Sequence, residues 1–255
     1  MSDAIRRGIG EDGYVVLPNI LSADFVRRAR AELERAIDAD SRRYGPQAER
    51  DYGMVLLCAL HGGAFLELLD NHRLLEPFNA VLGDDCIIYA YTSSSMPPRG
   101  RNYSARIHTD CPRLIPGYVT NMGVTLPLDD FDERNGATWY LPRSHQLAVE
   151  PTREQFYASA VRLKAPAGSG FFFNARLWHA GGENLTEQWR HALTINVCRP
   201  YMKQRIDIPR AMAHMDLSSV SEQALQKLGF RSQPPASLEE YYLPPDRRSF
   251  RQVTR

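Results

Sequence analysis

The sequence predicts a mainly β chain with flanking helices, a double-stranded β-helix (jelly roll) of eight main strands with helices packed on one outer face. Three observations carry this expectation. Helical periodicity dominates before about residue 83. From Cys86 onward, short runs rich in β-branched and aromatic residues recur between clusters of Pro, Gly, Asn and Asp. No internal repeat or linker-like stretch divides the 255 residues, so a single domain over 1–255 is expected, with a core at about 10–202 and a helical, irregular extension at about 203–255.

Leu21 and Val26 flank Ser22 as a hydrophobic staple around an N-cap, and Phe25, Ala29, Leu33, Ala36 and Ile37 then repeat at helical spacing, giving a helix of about four turns. A polar, charged stretch follows between about Ser41 and Tyr52. Two short helices are expected at Ala64 to Leu69 and Leu74 to Leu82, the second stopped by Gly83. Strands are expected at Cys86 to Thr92, Ser104 to His108, Tyr118 to Leu126, Thr138 to Leu141, Val161 to Lys164, Gly170 to Asn174 and His191 to Arg199. Beyond Tyr201, Arg205 to Met215 and Ser219 to Leu228 have helical patterns, and Pro234-Pro235 and Pro244-Pro245 mark an irregular tail. Arg247, Arg248 and Arg251 fit a solvated terminus.

Composition excludes several classes. Lys+Arg 31 against Asp+Glu 30 gives a net charge of +1, too little to steer the chain toward nucleic acid or anionic membrane. No apolar run of ~18 residues and no signal-peptide core stands out, so a cytoplasmic location is expected. Cys58, Cys86, Cys111 and Cys198 lack paired short spacings and are expected to be free, reduced and buried.

The chemistry concentrates at His108-Thr109-Asp110. Two residues apart on an extended strand, the imidazole and the carboxylate point to one side and can converge on one metal ion. His179, beside the glycine-bounded run Gly170-Phe171-Phe172-Phe173, is the best third donor. Two His and one carboxylate form the facial triad of mononuclear non-haem Fe(II) oxygenases.

At these residues the chain resembles the phytanoyl-CoA dioxygenase family of Fe(II)/2-oxoglutarate-dependent oxygenases, whose jelly roll is cupin-like. Asp12-Gly13-Tyr14-Val15-Val16-Leu17-Pro18 leading to Leu21-Ser22-Ala23-Asp24 is similar to the family's opening strand and first helix. Asn135-Gly136-Ala137-Thr138, Leu141-Pro142-Arg143-Ser144-His145, Ala167-Gly168, Trp178-His179, Asn184 and Arg190 then follow in the family's order, with Arg190 eleven positions after His179. Arg143 stands where the family usually has Gly, which bears on the local turn. The resemblance implies that His108, Asp110 and His179 hold Fe(II) and act catalytically, and that 2-oxoglutarate and O2 are cosubstrates. It also implies that Arg190 grips the far carboxylate of 2-oxoglutarate, which leaves as succinate and CO2. Thr138 is a further candidate for that carboxylate. Halogenases of the family carry Gly or Ala at the carboxylate ligand, so Asp110 implies hydroxylation or a related C–H oxidation instead.

A guanidinium suits the clamp because its planar fork makes two parallel charge-assisted hydrogen bonds to one carboxylate. His61, His72, His145, His191 and His214 have no comparable company and read as capping, surface or core-edge residues, with His145 bonding backbone in a turn. Trp178 should face away from the site toward the core. Arg99, Arg101, Arg106 and Arg113 flank the His-x-Asp motif, and Arg106, sharing the parity of His108, is a candidate to hold an anionic group of a small-molecule substrate, such as an amino acid or natural-product intermediate. The rivals are a jelly-roll metal enzyme of another class, such as a zinc-type hydrolase or isomerase, and a non-catalytic binding barrel.

Overall fold

A computed structural model of the chain describes residues 2–45 and 53–248. Part of the polar stretch that ends at Tyr52, and Arg251, lie outside them. Helix α1 (Ser2–Glu11) opens the chain and buries Ile5 and Ile9. Its glycines hide it from helix propensity, yet Gly8 has a use: a Cβ there would lie 2.3 Å from Val15 Cγ1 in strand β1 (Tyr14–Leu17). The Ser22 hydroxyl accepts from Phe25 N at 3.1 Å and starts α2 (Ala23–Tyr44), whose buried stripe is Phe25, Val26, Ala29, Leu33 and Ala36. At 22 residues α2 outruns the expected four turns, because its last two turns are polar and carry no apolar stripe.

Helix α3 (Gly63–Glu67) runs into a 3-10 turn at Leu68–Asp70, and α4 (His72–Leu82) is capped by Asn71 and stopped at Gly83, φ 97°. Later come α5 (Arg153–Ser159), α6 (Ile208–Ala211), α7 (Glu222–Leu228) and α8 (Leu238–Tyr241). The expected helix from Arg205 to Met215 contracts to α6, because Asp207 caps it only there, its side chain accepting from Arg210 N. Thr152 and Gln155 form a full capping box for α5, a signature present in the sequence that the strand pattern around it obscured.

The remaining strands are β2 (Ile87–Ser93), β3 (Asn121–Pro127), β4 (Trp139–Tyr140), β5 (Val161–Arg162), β6 (Gly170–Asn174), β7 (His179–Ala180) and β8 (Ala192–Cys198). They form an antiparallel five-stranded sheet, β1-β6-β3-β8-β2, and a three-stranded sheet, β5-β4-β7, which together make the jelly roll. Period-2 alternation divides the large sheet between two tasks. On β8, Leu193, Ile195 and Val197 join Met122, Val124, Leu126 and Phe172 in the core beneath α2, α3 and α4. The intervening Thr194 and Asn196, with Thr125 of β3, face a cavity between the sheets. Phe171 and Phe173, flanking Phe172 on β6, fill the inter-sheet side with Tyr140 and Leu177.

One expected strand is absent. Ser104 to His108 does not form a ladder: Tyr103–Ala105 is a 3-10 turn, tied by the Asn102 side chain accepting from Ser104 N at 3.0 Å and from its hydroxyl at 2.6 Å. These local side-chain bonds compete with strand pairing and win. His108 alone pairs, as an isolated bridge to His179.

At the family's glycine position Arg143 takes up the left-handed conformation, φ 66°, where its N–H donates to Asp12 O at 2.7 Å and its side chain pairs with Asp12 in solvent. A left-handed non-glycine residue costs about 1–2 kcal/mol, more than an exposed ion pair of about 0–1 kcal/mol returns. Arg143→Gly is therefore expected to stabilise the fold by roughly 0.5–1 kcal/mol, allowing for the freer unfolded chain. Urea unfolding that gives a lower midpoint for the variant would show this balance to be wrong.

Candidate metal centre

His108 and His179 are direct partners in a hydrogen-bonded antiparallel pair: His108 N donates to His179 O at 2.9 Å, and His179 N donates to His108 O at 3.0 Å. Such a pair projects both side chains to one face, and the ring centroids here are 4.2 Å apart. Asp110, two residues past His108, adds its carboxylate on that face. One donor atom from each of the three residues lies within 4.8 Å of the others, and Asp110 Oδ1 is 3.7 Å from His108 Nε2 and 3.9 Å from His179 Nε2. Among the described residues no other group of three such side chains gathers in this way.

The ring orientations are fixed from behind. Nδ1 of His108 bonds Arg106 O at 2.8 Å, and Nδ1 of His179 bonds Leu177 O at 2.9 Å. Since a carbonyl only accepts, both Nδ1 atoms carry a proton, which leaves each Nε2 as the atom that turns to the shared centre. Burial, followed by the neighbouring His179, pushes the His108 pKa down to about 4, which leaves that ring neutral and ready to ligate at neutral pH. Phe173 packs 5.1 Å from the His179 ring and gives the centre one apolar wall. Two imidazoles and a carboxylate, each held by a hydrogen bond with its donor atoms converging, fit a divalent transition metal with open positions.

Asn196 was not foreseen as a site residue. From the inward face of β8 its Nδ2 donates to Asp110 Oδ2 at 3.3 Å, leaving Oδ1 toward the histidines. The alternation Leu193-Thr194-Ile195-Asn196-Val197 held the clue, since polar residues on the inner face of a buried strand need a polar task. Outer-shell partners of this kind are worth about 10- to 100-fold in metal affinity. Asn196→Ala is expected to weaken metal binding by that factor in a competition titration against a chromophoric chelator, and an unchanged affinity would exclude this role.

A cavity of about 640 Å³ opens onto the centre, lined by His108, Asp110 and His179 together with Ser94, Tyr103 and Thr138. Arg190 lies behind its wall. Only 2% exposed, its guanidinium donates to the carbonyls of Gly136 (3.0 Å), Ser94 (3.1 Å) and Asn135 (3.4 Å) and stacks over Phe131, 4.3 Å from the ring centroid. Burial pushes its pKa down to about 10, which still leaves it charged at neutral pH.

The other expectations sort cleanly. All four cysteines are free and buried, and Cys111, despite adjoining Asp110, does not line the cavity. Trp178 packs with Phe156 and Ala180 in a separate small core. His145 bonds Gly10 O at 3.0 Å, so its backbone partner lies in α1 and not in its own turn. His61 pairs with Asp40 at 3.2 Å, and His191 Nδ1 bonds the Ser95 hydroxyl at 2.8 Å. No helix among the described residues is long and apolar enough to cross a membrane.

The chain is similar to known proteins along most of its length. Uncharacterized protein Rv1501 of Mycobacterium tuberculosis is 27% identical, covering 98% of this chain and 94% of that protein. Dioxygenase cdmA of Talaromyces verruculosus is 26% identical over 87% of this chain and 80% of that protein. Among solved structures, the non-heme alpha ketoglutarate dependent epimerase SnoN from nogalamycin biosynthesis superposes with a TM-score of 0.64 at 19% identity, covering 80% of this chain and 87% of that chain, and so shares the fold. The family model for phytanoyl-CoA dioxygenase (PhyH) matches residues 9–192, well over half of the sequence and inclusive of His108, Asp110, His179 and Arg190. The chain belongs to the phytanoyl-CoA dioxygenase family.

Proposed function

We propose that the chain is a single-domain Fe(II)- and 2-oxoglutarate-dependent oxygenase that hydroxylates a small molecule. His108, Asp110 and His179 hold the iron, and Arg190, with Thr138, receives the distal carboxylate of 2-oxoglutarate. The observation that carries this reading is the convergence of two imidazoles and one carboxylate, each braced by its own hydrogen bond, at the floor of a cavity with an arginine behind its wall. When bound, iron and 2-oxoglutarate supply activation of dioxygen, with the oxoacid leaving as succinate and CO2.

The protein's own part is binding and orientation. Two neutral rings and one carboxylate leave a divalent ion with residual positive charge, which favours a dianionic oxoacid over a neutral ligand. The charged Arg190 draws the oxoacid's far end toward Ser94 and Thr138. The buried aromatic flank of Phe173, Phe171 and Tyr140 keeps water from one side of the centre. A hydrolase or isomerase using zinc as a Lewis acid needs neither an oxoacid nor oxygen, and a binding barrel needs no open metal positions.

The test is anaerobic addition of Fe(II) and 2-oxoglutarate, followed by oxygen. A visible charge-transfer band that needs both additions, then oxygen consumption matched by succinate, is the expected result. A substrate that gains one oxygen atom by mass is hydroxylated, whereas epimerisation leaves its mass unchanged and ring closure removes two hydrogens. Neither band nor succinate from correctly folded protein would overturn the proposal.

A further inference from the structure

We infer that the substrate carries an oxyanion, a carboxylate or a phosphate or phosphonate group, and that Arg106 and Arg205 bind it where they line the cavity. This rests on the oxygenase reading of the same site. The two arginines reach the cavity from unrelated parts of the chain. Arg106 leaves the 3-10 turn at Tyr103–Ala105, and its carbonyl holds His108 Nδ1, which fixes its backbone beside the metal centre. Arg205 follows β8, with its N–H donated to Tyr89 O at 2.9 Å in the bulged region of β2. Both side chains border the cavity of His108, Asp110 and His179.

Their lack of partners separates them from their neighbours. Arg99 and Arg101, on the same connection as Arg106, are each paired at 2.6 Å, with Glu187 and Glu183, and point to solvent. Arg28, Arg30, Arg143 and Arg231 likewise pair with carboxylates. Among the described residues neither Arg106 nor Arg205 makes an ion pair, and Asp110, committed to the metal centre, is the sole carboxylate lining the cavity.

Charge balance then points to the ligand. A divalent metal offsets the dianionic oxoacid, and Asp110 offsets one arginine, so the loaded cavity keeps an excess of positive charge at the edge left to the substrate. An oxyanion there accepts forked, charge-assisted hydrogen bonds from two exposed guanidinium groups at the rim of the cavity. The remaining wall suits a polar group, since Thr125 and Thr194 border it.

The experiment uses the full chain loaded with Ni(II) and saturating 2-oxoglutarate, and follows its melting temperature against inorganic phosphate, methylphosphonate and propionate, with sodium chloride holding ionic strength constant. At least one probe is expected to stabilise the loaded protein saturably beyond chloride. A response to the phosphorus oxyanions or to propionate tells which group the site takes. Arg106→Gln and Arg205→Gln should each raise the half-saturating concentration by about tenfold or more. Arg101→Gln, removing a paired surface arginine, should leave it unchanged. If no probe exceeds chloride, or the two variants respond like the wild type, the anion site does not exist. Loading is measured first and independently: wild-type protein that fails to bind Ni(II) and 2-oxoglutarate refutes the oxygenase reading instead.

Discussion

His179→Ala is expected to remove turnover and metal-dependent stabilisation together while leaving the apo fold intact. The fold survives because the bridge that places residue 179 is made by main-chain atoms, His108 N to His179 O and the reverse, which alanine retains. The lost ring packs against His108 and Phe173 at the floor of the cavity, so water entering the cavity can fill its place. Metal binding fares differently. Loss of an outer-shell partner already costs about 10- to 100-fold in affinity, so loss of a ligand should cost at least about 100-fold. By mass action, metal at 100 times the wild-type Kd stabilises wild type by about 2.7 kcal/mol, whereas a variant bound 100-fold more weakly gains about 0.4 kcal/mol. Calorimetric melting with and without Ni(II), beside succinate assays with Fe(II), reads both quantities. Asp110→Ala should behave in the same way, and His61→Ala, far from the centre and paired with Asp40, should not. Undiminished metal stabilisation in His179→Ala would place the ion elsewhere.

The site was legible to the degree that its geometry follows from local pattern. His108 and Asp110 share a face because they are two residues apart in extended chain, and His179 was found by its neighbours in sequence order. The sequence did not disclose that the strand carrying His108 shrinks to a single bridge, since the Asn102 bonds that form the preceding turn depend on a side-chain conformation. Without that strand, alternation no longer aims Arg106 inward. Arg106 reaches the cavity from the end of a turn instead. Strands β2, β3, β6 and β8 were located within a few residues, because each buries one face against helices and alternates accordingly. Helix α1, with two glycines, and the two-residue strand β7 are held by tertiary contacts that no short window contains. Asn196 and Arg205 belong to the same class, for the contact of the one with Asp110 and the place of the other on the cavity arise only when β8 and the segment after it are laid against the His-x-Asp loop.

Arg190→Lys is expected to separate a clamp from a merely structural arginine. The guanidinium does two things at once: it satisfies carbonyls of Ser94, Asn135 and Gly136, and it holds positive charge behind the wall formed by Ser94. Alanine loses both. With several buried carbonyls left without a donor at about 1–3 kcal/mol each and the face of Phe131 uncovered, Arg190→Ala should lose about 3 kcal/mol or more of stability, which makes its activity uninformative. Lysine keeps the charge and can satisfy some of the carbonyls, but an ammonium cannot form the planar fork that a carboxylate meets with two parallel bonds. If Arg190 receives 2-oxoglutarate, Arg190→Lys raises the KM for 2-oxoglutarate by about tenfold or more, the cost of one charge-assisted hydrogen bond, while affinity for Fe(II) stays at the wild-type value because no ligand has changed. If Arg190 only braces the β4 and β8 approaches, the variant melts earlier but its KM for 2-oxoglutarate does not move. Steady-state succinate assays at varied 2-oxoglutarate, with metal titrations on the same preparation, decide between the two. A melting temperature lowered with KM unchanged would strip Arg190 of its proposed contact and leave Thr138, on the cavity wall, as the next group to test.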